Sequence, residues 1–345
     1  MGVKIGIIVN NQFRPDGDPV VALEEQYLMV RHARDREWDS FLASMHYLPE
    51  GNAVALQQVP LIARLAAEGG ELTMGVAIYL LNLHNPVYTA ETMATLDIIA
   101  RGRLVFGIGL GYRDMEFDAF NVPKGQRVQR MVEYLEIVKR LWTEDEVTAE
   151  GSWGRLDRAH MHLRPVQRPH PPIWFAANHD NAVRRAARLG DCWYINPHAT
   201  LETNRRQMGI FLEERRLAGL PMPTVVPCRK EIFCAKDRRT ALEMAGPHIA
   251  EKYRLYSQWG QNDAMPDDES LDKPFEELAQ GRFVIGSPED CYEQLRPYWE
   301  DLGVNQLIFR THFIGMPISH ALHSMQMISS ELLPALRKVT PRPLA

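Results

Sequence analysis

Cysteine is scarce in this 345-residue chain, with only four. Cys192, Cys228, Cys234 and Cys291 stand far apart and form no Cys-x-x-Cys spacing. That argues against a disulfide framework and for free thiols in a reducing compartment. No apolar run approaches membrane-spanning length. No charged-then-apolar leader follows Met1, so the expectation is a soluble cytoplasmic protein. Basic excess is missing too: 39 Lys and Arg against 44 Asp and Glu give a formal net charge of −5. A nucleic-acid binder needs a basic face, so that class is set aside. Internal repeats and low-complexity tracts are absent.

Short apolar runs alternating with helical patterns fill the chain. Strands are expected at Lys4 to Val9, Asp39 to Ser44, Leu72 to Ile78, Leu104 to Ile108, Ile173 to Ala176, Cys192 to Ile195, Val225 to Ala235 and Gln306 to Arg310, with helices between them. Eight strands interleaved with helices predict an α/β fold, a (β/α)8 TIM barrel forming a single domain over residues 1–345. Two segments exceed an ordinary connection, about 144–172 and 261–280. They are expected as insertions at the C-terminal face of the strands, either as a lid over the mouth or as surface loops.

A barrel does its chemistry at the C-terminal ends of its strands, so candidate residues are taken from there. Strand one ends in Asn10, Asn11, Gln12 and Phe13, strand two in Met45, His46 and Tyr47, and strand three in Ala77, Ile78 and Tyr79, with His84 further out. Gly109, Gly111, Tyr112, Arg113 and Asp114 follow strand four, where bare backbone lets a phosphate or a flat ring approach closely. Arg113 and Asp114 are placed to pair with each other. Ala176, Ala177, Asn178 and His179 follow strand five, and the last three open a helix whose N-terminus suits an anion. Asn196 and His198 follow strand six, and Arg310 and His312 strand eight. Amide, imidazole and guanidinium groups beside glycines suit a polar planar ring with a phosphate tail. Among them His46, Asn10 and His198 are the candidate catalytic groups. Phe13, Tyr47, Tyr79 and Leu81 suggest a partly hydrophobic substrate pocket.

Some motifs point nowhere. Gly107-x-Gly109-x-Gly111 departs from the dinucleotide fingerprint, and the next helix starts too late for one. His160-x-His162 with His170 lacks a converging carboxylate or cysteine set, so no metal site is expected. No nucleophile elbow or Ser/Cys-centred triad stands out.

Several segments jointly carry a family resemblance. His84-Asn85-Pro86 opens a helix that reaches Leu96-Asp97, followed by Gly102-Arg103 and the Gly-rich strand end at Gly107 to Gly111. Arg127 opens a helix ending in Leu141-Trp142-Thr143-Glu144. Pro165-Val166-Gln167-Arg168-Pro169-His170-Pro171-Pro172-Ile173-Trp174 leads into a strand. Arg185-Ala186-Ala187-Arg188-Leu189-Gly190-Asp191-Cys192-Trp193 and Ile285-Gly286-Ser287-Pro288-Glu289-Asp290 come later. Together they resemble the bacterial luciferase-like flavin-dependent monooxygenase family over nearly the whole chain. The resemblance implies reduced FMN, supplied by a partner flavin reductase, and O2 reacting through a C4a-(hydro)peroxyflavin to oxygenate a small organic substrate. It further implies a non-proline cis peptide near Ala77-Ile78 behind the flavin ring, a phosphate contact from Arg127, and a homodimer built near the second and third strands, where Gln57 to Glu68 would expose apolar surface. His46 stands where the family carries a His-His pair, but its neighbour here is Met45. Some relatives place an arginine where this chain has Leu110, which leaves F420, and hydride transfer, as the alternative cofactor and chemistry. A non-catalytic flavin-binding protein is the alternative of another class.

Overall fold

The computed structural model describes residues 2–344. Its centre is a curled sheet of nine parallel strands. These are β1 (Lys4–Val9), β2 (Ser40–Ala43), β3 (Thr73–Tyr79), β4 (Leu104–Ile108), β5 (Ile173–Ala176), β6 (Cys192–Tyr194), β7 (Pro227–Cys234), β8 (Val284–Gly286) and β9 (Gln306–Arg310). Their order across the sheet is β6-β5-β4-β3-β2-β1-β9-β7-β8. Helices follow the strands: α1 (Pro19–Asp35), α2 (Gln58–Gly69), α3 (Pro86–Ile99), α4 (Asp114–Ala119), α5 (Arg127–Thr143), α6 (Asp180–Leu189), α7 (Leu201–Leu217), α8 (Arg238–Gln258), α9 (Phe275–Leu278), α10 (Pro288–Glu300) and α11 (Ile318–Met327).

The α/β architecture agrees with the expectation, while the ring of eight strands is found only in part. β6 and β7 meet at a single parallel bridge, Ile195 to Cys228. There Ile195 N donates to Pro227 O at 3.0 Å and Arg229 N to Ile195 O at 2.9 Å. The unanticipated strand β8 lies outside the run, paired with the end of β7. At three residues it is too short to show a period in sequence.

Alternation along each strand sorts the core into two layers. Ile5, Ile7, Phe41, Val76, Phe106, Phe175 and Trp193 face outward and join the helices in the large apolar cluster. Ile8, Leu42, Ala77, Val105, Trp174, Tyr194 and Ile308 face inward and form a smaller cluster of their own. From α5, Trp142 is seated against Phe106 and donates its indole N–H to Ala90 O at 3.0 Å.

The two insertions go to different places. Segment 144–172 carries an antiparallel hairpin, Val147–Gly151 with Gly154–Ala159, and a cis Arg168-Pro169 bond. It joins the end of α5 to the start of β5, which puts it at the strands' N-terminal ends, and none of its residues lines the central cavity. The expectation that it covers the mouth is therefore corrected by topology alone. Segment 261–280 instead supplies Gln261, Asp263 and Ala264 to the cavity wall and buries Met265, Leu271 and Leu278. No helix among the described residues is long and apolar enough to cross a membrane.

Asp97, fully buried on α3, fastens the irregular segment to the sheet. It accepts from Gln167 N at 2.9 Å, from Gln167 Nε2 at 2.7 Å and, more weakly, from Leu104 N at 3.4 Å. Asp97→Ala strands those donors, and a loss of about 2 kcal/mol is expected. Urea unfolding checks this, with Asp97→Asn retaining more stability than Asp97→Ala.

Candidate active site

The C-terminal ends of β2 to β6, with Arg229 from near the start of β7, surround a cavity of about 370 Å³, within the usual range for small-molecule sites. One wall is bare. Ala77-Ile78 is a cis peptide, the feature the resemblance implied at this bond. Beside it Gly109 leaves no room for a side chain: a Cβ there would stand 2.7 Å from Ile78 Cγ2. Gly111 holds φ +73°, a conformation that favours glycine. With Ala176 and Ala177 these residues present backbone and methyl groups, against which a flat ring can lie.

The rim is cationic. Lys124 and Arg127 line it at the start of α5, and Asn178, His179 and Ala182 at the start of α6. His179 occupies the N-cap position, and no side-chain bond caps the helix, so its first N–H groups stay open. Arg127 donates to Lys124 O at 2.8 Å and forms no ion pair with an acid among the described residues. Arg185 stands close enough for Arg127 to act on it. Burial and then that like charge lower its pKa.

The inner end is polar and deeply buried. His46 Nδ1 lies 3.4 Å from Glu116 Oε1, an ionic contact too poorly aligned to be a hydrogen bond. The His46 ring sits edge-on to Tyr112, Tyr256 and Trp259. Glu116, 1 % exposed, also accepts from Tyr47 N at 2.9 Å and faces Arg113 at 3.6 Å. Burial, with the Lys252 charge behind it, holds the His198 pKa well below its ordinary value, and that imidazole is neutral. Burial pushes the hydroxyls of Tyr112 and Tyr194 upward, and neither has a hydrogen-bond partner.

Most sequence-derived candidates converge here. His46, His198, Ala77, Ile78, Gly109, Gly111, Tyr112, Arg127, Ala176, Ala177, Asn178 and His179 all line the cavity. Asn10 does not: its amide accepts from Arg310 Nη1 at 3.1 Å and donates to Gln12 O at 2.9 Å behind the wall. The proposed hydrophobic set also misses. Tyr79 and Leu81 belong to the outer cluster: the pairing register of β3 shifts between Val76 and Tyr79, which turns Tyr79 toward the helices, Leu81 lies beyond the strand, and Phe13 pairs in a short ribbon with Val54. Tyr47 packs on Phe120 and bonds His84 Nε2 at 2.9 Å. Arg113 and Asp114 do not pair. Arg113 donates to Tyr47 O and Leu48 O and stacks on Trp259, while Asp114 pairs with Lys124 at 2.6 Å. Residues not anticipated are Glu116, Tyr194, Arg229 and Tyr256. A signal for Arg229 existed, since alternation along β7 puts it on one face with Glu231 and Phe233.

With this geometry in view, the chain's relations become interpretable. The luciferase-like monooxygenase family matches residues 3–306, and the chain belongs to that family. It is similar to the oxygenase component of a flavin-dependent trigonelline monooxygenase from Acinetobacter baylyi, 24% identical over 289 residues, covering 79% of each chain. It is equally similar to an F420-dependent glucose-6-phosphate dehydrogenase from Amycolatopsis mediterranei, 24% identical over 313 residues, covering 87% of this chain and 90% of that one. Among solved structures, the monooxygenase RslO1 from Streptomyces bottropensis superposes with a TM-score of 0.84 at 23% identity, over 96% of this chain and 99% of that one, a likeness of fold.

His84 offers a test of the packing beside the cavity. Burial lowers its pKa from 6.5 to about 4. The unfolded chain takes up that proton near pH 6.5 and the folded chain only near 4, so stability falls as pH drops through this window, by up to about 3 kcal/mol. The destabilisation caused by His84→Gln is therefore expected to be largest above pH 6.5 and to shrink toward pH 4 in urea titrations.

Proposed function

We propose that this protein is a flavin-dependent monooxygenase that uses reduced FMN and O2 to oxygenate a small organic substrate. The observation that carries this reading is the bare wall at Ala77-Ile78 and Gly109 continuing into the unpaired cationic rim at Arg127 and the start of α6. A planar ring with a phosphate tail fits that sequence of surfaces. Ala77, Ile78, Gly109, Ala176 and Ala177 would hold the ring. Arg127, Lys124, and the N–H groups following Asn178 and His179 would hold the phosphate. When bound, the reduced flavin supplies the electrons for O2 chemistry. The chain's own part is to orient the ring, keep water out with Leu80, Tyr112, Tyr256 and Ala264, and hold a proton at His46 Nδ1 against Glu116. His198, neutral, offers a hydrogen bond without charge. Asn10 keeps a positioning role through Arg310. The Ile195 to Cys228 bridge supports reading the sheet as a closed (β/α)8 barrel in one domain, with 261–280 as its cover.

Hydride transfer with F420 is the second reading. Leu110, a neutral side chain between the two glycines, and the similarity to an F420-dependent dehydrogenase favour it. Anaerobic titration with reduced FMN and reduced F420, followed by oxygen, separates the two. Tight FMN binding with oxygen-dependent spectral change is expected, and binding of F420 alone sinks the oxygenase reading. Arg127→Ala is expected to weaken binding of the favoured cofactor at least about tenfold, as loss of a charge-assisted contact does.

A homodimer and a cytoplasmic setting belong to the same proposal, as does a separate flavin reductase. Between α2 and α3 an apolar groove lined by Val59, Ala63, Leu96 and Ile99 runs beside Tyr88, which is 62% exposed. Sedimentation is expected to give a dimer, and Tyr88→Glu a monomer with unchanged far-UV dichroism.

A further inference from the structure

The inner end of the cavity holds more positive charge than the protein itself neutralises. On β7, alternation sends Arg229 and Glu231 inward; on β9 it sends Arg310 inward; from α8, Lys252 reaches the same point. All four are at least nine-tenths buried. Glu231 is the shared partner: Lys252 contacts its Oε1 closely, Arg229 Nη2 lies 3.4 Å from Oε1, and Arg310 Nε lies 4.0 Å from Oε2. Arg310 also donates to Asn10 Oδ1 and to Ser44 Oγ at 3.2 Å. Two carboxylates line the cavity itself: Glu116, which already faces Arg113 and His46, and Asp263 on the covering segment. Three cationic side chains thus share one carboxylate.

Burial drives the Lys252 ammonium well below its usual pKa. Even with Lys252 neutral, two guanidiniums face a single carboxylate. Burial alone would raise Glu231, but Lys252, Arg229 and Arg310 outweigh it and hold the carboxyl below its usual range, ionised. A buried charge without a partner is costly. The unused donors are specific: Arg229 Nε and the Tyr194 hydroxyl are buried without hydrogen bonds, and both residues line the cavity. His198 Nδ1 beside them is also unpartnered. This floor is distinct from the Arg127 rim, which the proposed cofactor phosphate occupies.

We propose that Arg229 and Tyr194, backed by Arg310 and Lys252, form a recognition subsite for a compact oxyanion, so that the substrate is a small organic acid bearing a carboxylate or sulfonate. The proposal rests on reading this cavity as the active site. It deepens that reading by naming the substrate class. Glu231 sets the orientation: it engages Lys252 and Nη2 of Arg229, which leaves Arg229 Nε without a partner. A guanidinium meets a carboxylate through two parallel donors, and a phenol adds a third. A neutral analogue would leave the excess charge unmatched, and such a site rejects it strongly.

Calorimetry on the full chain, alone and loaded with FMN, tests this with benzoate, benzenesulfonate and the neutral benzamide as probes. One or both acids are expected to bind at least tenfold more tightly than benzamide. The tighter of the two tells carboxylate from sulfonate. Arg229→Leu is expected to lose acid binding at least tenfold while leaving the FMN dissociation constant within about twofold, with Arg229→Lys partly restoring the acid. Arg127→Ala should show the reverse pattern, losing FMN and keeping the acid. Should Arg229→Leu fail to fold, Tyr194→Phe supplies the same comparison with a smaller, several-fold loss. The subsite is overturned if benzamide binds as well as the acids, if neither acid binds to protein that binds FMN, or if Arg229→Leu loses FMN in place of the acid. Failure to bind FMN or F420 at all overturns the cofactor reading instead, and acid binding lost in Arg229→Leu but kept in Arg127→Ala would still support the subsite.

Discussion

A parallel strand turns its side chains to two faces in strict alternation, and in this sheet both faces are buried. Everything else follows from what each face accepts. The outer face meets amphipathic helices, so Ile5, Ile7, Phe106 and Phe175 are apolar, while Lys230 of β7 is buried there by donating to the Tyr298 hydroxyl. The inner face is apolar at Ile8, Leu42, Val105 and Ile308. Elsewhere it carries Gly109, Tyr194, Arg229, Glu231 and Arg310, with Arg229 level with Ile308 on the neighbouring strand. Such groups survive inside a sheet only when they answer one another or a ligand. The cavity is therefore a consequence of the strand pattern, with helices and segment 261–280 closing what the strands leave open.

Much of this was legible in the chain. β1, β4, β5 and β9 coincide with the expected runs at both ends, because each is a short apolar stretch bounded by turn or helix signals. The Gly-rich end of β4 located the bare wall, and the anticipated bond Ala77-Ile78 is the cis one. What failed did so for physical reasons. Tyr79 and Leu81 miss the substrate pocket because the register shift between Val76 and Tyr79 breaks the alternation of β3 and sets Tyr79 against the helices, with Leu81 beyond the strand. Asn10 sits at the right height on β1, yet Arg310 takes its amide and holds it behind the wall. Glu116 and Tyr256 come from helices whose approach to the cavity is a tertiary event with no local signature. Segment 144–172 looked like a lid from its length and composition, but the order of elements places it at the other end of the strands. Arg229 and Glu231 are readable from the period of β7, which sets them on one face with Phe233.

The electrostatics of the cavity divide along its length. At the rim, Arg127 and the open start of α6 are near solvent, where water and ions moderate a charge. At the floor, Arg229, Arg310 and Glu231 lie in a medium that scarcely screens them. The same nominal charge thus does different things at the two ends. A rim cation suits a doubly charged, exposed phosphate, whose binding tolerates some mobility. A floor cation suits one small, fully desolvated oxyanion held in fixed geometry. In the proposed reading this asymmetry orders the two ligands, with the phosphate tail outward and the acid inward, and leaves the ring wall between them.

Two histidines share the inner end, and their surroundings assign them different work in that reading. His198 is enclosed by Tyr253 and Tyr256 with no carboxylate in contact, and cations behind it oppose protonation. It remains a neutral donor and acceptor. His46 instead faces Glu116, whose second oxygen, Oε2, is buried without a partner. A carboxylate with a free oxygen beside an imidazole can stabilise the ring's proton, which is the arrangement a residue needs if it is to give and recover one. Arg113, locked by Tyr47 O and Leu48 O and stacked on Trp259, stands 3.6 Å from the same Glu116 oxygen that faces His46. In the proposed reading proton handling therefore falls to His46, with Glu116 as its positioning residue.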